Sequence, residues 1–128
     1  MVQHATHFDD SNRIIFIRIE GKLKTKGARE MGLKIRQIAK DKSYGIIFDY
    51  RKADPSGITT LDIDNTFSDA YDKIDKELRN VPVVLLFDPK KFARLAKFVD
   101  LSWTAQGIAT ITCSDEDKGR AWLAKQLN

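Results

Sequence analysis

The sequence predicts a single α/β domain over residues 1–128, with a mixed, mostly parallel sheet of about five strands, an N-terminal antiparallel hairpin and four helices. Three observations carry that expectation. Two β-rich segments flank the turn cluster Asp9-Asp10-Ser11-Asn12 at the start of the chain. After them, short apolar runs alternate with stretches of helical period, the pattern of parallel strands joined by right-handed crossovers. The chain of 128 residues is 42% hydrophobic and 31% charged, the composition of an ordinary globular domain able to bury about two-thirds of its unfolded surface.

The elements follow in order. Residues 2–8 read as a short strand, and Arg13-Ile-Ile-Phe-Ile-Arg-Ile-Glu20, rich in β-branched residues, reads as its antiparallel partner, broken by Gly21. Thr25 is placed to cap the first helix. Ala28, Met31, Ile35, Ile38 and Ala39 recur on its buried stripe, and Ser43 closes it. Tyr44 to Asp49 is apolar on both faces, as a central strand is. Asp54-Pro55-Ser56-Gly57 suits a type I turn. Beyond it a second helix starts among Thr59, Thr60, Asp62 and Asp64 and buries Ile63, Phe67, Ala70, Tyr71, Ile74 and Leu78.

Val81 to Phe87 is a continuous apolar run, hence a further buried strand with Pro82 at its start. Asp88-Pro89 is an N-cap followed by proline at the first helical position. The third helix carries Phe92, Leu95, Ala96, Val99 and Trp103 on its buried stripe and ends at Gly107. Ile108 to Cys113 is the last strand. Ser114 with Asp117 opens the final helix, with Ala121, Trp122 and Leu123 along it.

Composition excludes several classes. No apolar run approaches the roughly 20 residues that span a bilayer. The first residues lack the basic-then-apolar order of a secretory signal. One cysteine, Cys113, excludes an intramolecular disulfide and fits a reducing cytoplasm. The net charge is +4, unevenly laid out: eight basic residues fall between Lys22 and Lys42, and seven acidic ones between Asp54 and Glu77. Two solvated helix faces of opposite sign account for this layout, and the basic stretch has no interleaved aromatics or nucleic-acid motif. Phosphate-loop, dinucleotide and nucleophile-elbow signatures are absent.

Three segments, in this order, resemble the STAS domain family in its SpoIIAA-like branch. They are Arg13-Ile-Ile-Phe-Ile-Arg-Ile-Glu-Gly-Lys-Leu, the strand–turn–helix of residues 45–64, and Glu116-Asp-Lys-Gly-Arg-Ala-Trp-Leu. The resemblance implies a non-enzymatic module that binds a partner protein or a small ligand. In the family's anti-sigma-factor antagonists a serine at the start of the second helix is phosphorylated by the partner kinase, and Asp54-Pro55-Ser56-Gly57 is similar to their Asp-Ser-Ser-Gly. Pro55 stands where that pattern expects the acceptor hydroxyl, which leaves Ser56 as the candidate.

The expected regulatory or partner surface is therefore Asp54, Ser56, Gly57, Thr59 and Thr60, where hydroxyls meet a helix N-terminus; turn formation and capping explain the same residues. Asp49, Arg51, Asp88 and Lys90 are read as polar groups at the ends of adjacent strands. Asp49 and Asp88 could in principle act as a catalytic or metal-binding pair, but Asp88 is explained as an N-cap and Asp49 by pairing with Arg51 or Lys90. No enzyme, metal or cofactor is expected. His4 and His7 point to opposite faces of an extended segment and cannot share a metal. Cys113 reads as a small core residue.

Phe98 and Leu101 exceed one buried stripe and form a candidate apolar patch, for a dimer partner, a membrane surface or the mouth of a lipid pocket. The leading reading is a cytoplasmic protein-binding module. A carrier of small apolar ligands of the SEC14 type is the alternative, and an enzyme using the strand-end carboxylates is a weaker one.

Overall fold

A computed structural model describes residues 3–23, 28–56, 78–98 and 107–128. Five strands form one sheet: β1 (Gln3–Asp9), β2 (Ile14–Lys22), β3 (Gly45–Asp54), β4 (Val83–Leu86) and β5 (Thr110–Cys113). Three α-helices are described, α1 (Ala28–Lys42), α2 (Ala93–Phe98) and α3 (Glu116–Leu127), with a 3-10 turn at Leu78–Asn80. The expected second helix, from Thr59 or Thr60 to Leu78, lies outside the described residues apart from Leu78, which stands in the 3-10 turn. The expected cap Thr25 also lies outside them.

The strands stand in space in chain order, β1 to β5, with β1 antiparallel to β2 and all other neighbours parallel. The β2–β3 and β4–β5 crossovers step the sheet the same way, so the right-handed rule assigns α1 and α2 to a single face. There Ala39 of α1 and Phe92 before α2 pack with Ile15, Ile17, Ile46, Phe48, Val83 and Leu85. The opposite face carries the alternate residues Ile14, Phe16, Ile47, Val84 and Leu86, and among the described helices only α3 covers it, through Leu123. The two-residue alternation of β2 and β3 thus feeds two cores at once.

Several boundaries differ from the sequence expectation. Gly21, with φ of 89°, does not break β2, which runs on to Lys22 opposite Asp54. Strand β3 extends to Asp54, so Asp49 and Arg51 lie within the strand rather than at its end. Arg18 pairs with Asp49 and Glu20 with Lys52, so one extra residue enters β3 here as a bulge. The bulge shifts the alternation, and both Tyr50 and Ala53 face the α1 core. Beyond Asp49, where the pairing with β4 stops at Leu86, β3 pairs only with β2 and tolerates exposed Arg51 and Lys52.

The helix expected to start at Pro89 begins at Ala93, after a turn in which the Asp88 carbonyl accepts from the backbone N–H of Lys91 and Phe92. The N-cap of α3 is Asp115, one residue after Ser114, and its carboxylate accepts from the Asp117 N–H at 2.9 Å. Helix α1 ends as expected at Ser43, which adopts φ of 60°. The Tyr44 N–H reaches the Ala39 carbonyl at 2.8 Å and the Ser43 N–H reaches the Lys40 carbonyl at 3.2 Å, the paired bonds of a Schellman cap.

Candidate functional site

The carboxyl ends of parallel strands β2, β3 and β4 gather the loops that position the candidate surface. At the end of β3 the Asp54 carboxylate accepts from the Ser56 N–H at 2.9 Å, an Asx-type turn. That backbone bond is the main reason the Asp54 carboxyl is held below its ordinary range, with Lys22 and Lys91 adding to it. The Asp54 carbonyl also accepts from the Leu23 N–H at 2.8 Å, fastening this turn to the exit of β2. Asp54 and Ser56 are both exposed. Gly57, Thr59 and Thr60 lie outside the described residues.

At the end of β4 the Asp88 carboxylate accepts from the Lys90 N–H at 2.9 Å, so Asp88 shapes its own turn. The charges of Lys22 and Lys91 add only a smaller lowering to the Asp54 carboxyl. Leu101 is outside the described residues, and Phe98 is described only as the last backbone position of α2.

Asp49 and Arg51 belong to a different constellation, on the α3 face. Arg51 grips Asp49 with two parallel bonds of 2.9 Å from Nε and Nη2, and its backbone N–H donates to the same carboxylate at 3.0 Å. The last bond has a clear origin: a bulge leaves a backbone group out of the ladder, and the Asp49 side chain satisfies it. Arg18, directly across the register, lies 3.9 Å from the second carboxylate oxygen. The Asp49 side chain is only 4% exposed. Burial raises its pKa, but the hydrogen bonds from Arg51 and the charges of Arg51 and Arg18 outweigh burial and hold it below its ordinary value. A carboxylate so fully engaged is poorly suited to act as a general base or a metal ligand.

The chain of charges continues. Arg51 Nη2 reaches Glu116 at 3.1 Å, Glu116 holds Arg120 one helical turn on at 2.8 Å, and Arg120 reaches Asp9 at 3.2 Å. Asp9 in turn accepts from Asn12 at 2.9 Å in the hairpin turn. Arg18 and Arg120 stack on the Phe16 ring at 5.9 and 5.7 Å. This network straps α3 to β1, β2 and β3. Its members Asp9, Arg18, Glu116 and Arg120 were not singled out from the sequence. The available signal is that Arg18 and Asp49 each interrupt an apolar row at matching positions, with Glu116 and Arg120 at helical spacing.

On the α1 face, Arg36 is a buried charge missed by the apolar stripe. Burial lowers its guanidinium to about 10, opposed by Tyr50, whose phenol burial pushes up to about 12. Rings of Phe48, Tyr50, Phe92 and Phe87 run side by side there, with centroids 5.2–6.4 Å apart. Cys113 is half-buried, and burial raises its thiol pKa, the setting of an unreactive thiol. His4 and His7 project to opposite faces of β1, opposite Ile19 and Phe16. Among the described residues no three potential metal ligands come together, and no described helix is long and apolar enough to cross a membrane.

No protein-family model and no curated protein matches the chain. Among solved structures it is similar to the crystal structure of an anti-sigma factor antagonist from Mycobacterium paratuberculosis. The TM-score is 0.55 at 9% identity, over 96% of this chain and 94% of that one. At that identity the likeness is one of fold: the chain has the STAS/SpoIIAA-like architecture.

Proposed function

We propose that the protein is a non-enzymatic regulatory module that binds a partner protein through the loops at the carboxyl ends of β3 and β4. The observation that carries this reading is the turn that exposes Asp54 and Ser56, held by its own Asx bond and by the Leu23 N–H on the Asp54 carbonyl. An exposed, charged turn fixed by backbone hydrogen bonds suits recognition by another protein surface better than it suits a reaction. The strand carboxylate that might have done chemistry, Asp49, is engaged by arginines and a backbone N–H. The fold it shares with an anti-sigma factor antagonist supports the same reading. Ser56, exposed beside the Asx bond that shapes this turn, is the candidate modification site.

The test is capture of partners on the immobilised full chain, with Asp54→Arg and Ser56→Asp variants beside it. A partner retained by the natural chain and lost by about tenfold or more in Asp54→Arg, with circular dichroism unchanged, supports the surface; the scale is that of one buried charge pair in an interface. Equal capture by all three chains places the partner surface elsewhere.

The second reading is a carrier of small apolar ligands. The aromatic run Phe48, Tyr50, Phe92 and Phe87 on the α1 face favours it, because such a set could line an apolar site. Native mass spectrometry separates the readings: a co-purifying lipid-sized adduct supports the carrier, and bare chain mass supports the module.

A further inference from the structure

Among the described residues, no strand covers the outer edge of β1. Its seven residues pair with β2 without a register slip, from Gln3 opposite Glu20 to Asp9 opposite Ile14, and β1 is the terminal strand of the sheet. The opposite row of backbone N–H and C=O groups therefore has no strand partner among the described residues. Natural edge strands are protected by lysine, proline, bulges or brevity. Residues 3–9, Gln-His-Ala-Thr-His-Phe-Asp, contain no lysine, arginine, proline or glycine.

Side chains from His4 to Phe8 are exposed on both faces, so nothing described hinders a strand approaching this edge. Phe8, 41% exposed, is the exposed large hydrophobic residue among those described.

We propose that β1 is a homodimerisation edge: two copies join β1 to β1 antiparallel about a two-fold axis at Thr6, making one continuous sheet. The occupant is a second copy because the strand is complementary to its own reverse. Antiparallel pairing centred on Thr6 aligns all seven residues. On the α1 face it sets His4 against Phe8 of the other copy, an aromatic pair that covers the exposed ring, with Thr6 against Thr6 between them. On the α3 face it sets small Ala5 against large His7.

Charge permits it. Residues 3–8 carry no carboxylate or ammonium, and Asp9 is paired within its own chain with Arg120. The nearby Lys42 ammonium lies over its own chain's Phe8 ring at 5.6 Å, at Phe8 rather than at Thr6, so no like charges meet at the axis. A single strand pair buries less than the roughly 1,200 Å² of a stable standard interface. The dimer is therefore a weak one that forms reversibly with concentration.

Sedimentation velocity over a concentration series tests this, with Thr6→Lys as the breaking variant; Thr6 is exposed, so the fold tolerates the change, and circular dichroism checks it. The natural chain moves from monomer to dimer as concentration rises. Thr6→Lys, which stacks two ammonium groups at the axis, weakens the dimer by about tenfold or more. Register is read by cysteine crosslinking in a Cys113→Ser background. Thr6→Cys forms a disulfide-linked dimer under mild oxidation many times faster than His4→Cys, because only position 6 meets itself. A natural chain that stays monomeric throughout, a dimer indifferent to Thr6→Lys, or equal crosslinking at 4 and 6 overturns the proposal.

Discussion

Asp49 shows how one side chain can be misassigned when only its neighbours in sequence are known. Placed after four apolar residues, it looks like a strand-end acid awaiting a proton or a metal. In the fold its carboxylate accepts three hydrogen bonds from the Arg51 backbone and guanidinium, with Arg18 an ionic neighbour at 3.9 Å. Asp49→Ala is expected to cost about 2 kcal/mol, since it strands a bulge N–H and loosens the clamp on Glu116. The contribution has a defined pH range. The folded-state pKa lies below the unfolded value of about 3.9, so the stabilisation is complete above that value and is lost as pH falls through the folded-state pKa. Urea titrations of the two chains should differ at neutral pH and converge in acid.

At the scale of the element, α1 offers a clean prediction. Ser43, in the cap just past its last residue, holds φ of 60°, a conformation that costs an L-residue with a Cβ about 1 kcal/mol. Ser43→Gly keeps both cap hydrogen bonds and removes that cost, so thermal unfolding should shift upward by a few degrees.

The strands were the legible part of this chain. Val83–Leu86 and Gly45–Phe48 are apolar on both faces, and burial on both faces is what that pattern means. The bulge was not legible, because an inserted residue leaves only a changed spacing between Tyr50 and Ala53. Gly21 misled for the opposite reason: glycine tolerates positive φ inside a paired strand as well as at its end. Of the candidate surface, the Asp54 and Asp88 turns could be read from composition. The strap that links Asp9, Arg120, Glu116, Arg51, Asp49 and Arg18 could not, because two of its links span 65 and 111 positions.

At the scale of the molecule, the two faces of the sheet are unequally insured. The α1 face draws its cover from several elements, including α1, Leu78 and Phe92. On the α3 face the described cover is one helix, centred on fully buried Leu123. That helix sits tight: a Cβ on Gly119 would lie 2.9 Å from Val84 Cγ1, and one on Gly45 would lie 2.7 Å from Leu123 Cδ2. Neighbours packed so closely cannot collapse into a vacancy. Leu123→Ala should therefore cost about 3–4 kcal/mol, read as a lower denaturant midpoint with an unchanged slope.

The strand order β1 to β5 also has a consequence during synthesis. Every strand that leaves the ribosome finds its neighbour already made, so the sheet can grow outward from the first hairpin without waiting for distant chain. The cover of its second face comes last, in the final helix Glu116–Leu127. Until the ribosome releases those residues, no other described helix covers the row Ile14, Phe16, Ile47, Val84 and Leu86. A message cut short before codon 116 thus yields a nearly complete sheet with one sticky side, a natural client for chaperones and proteases.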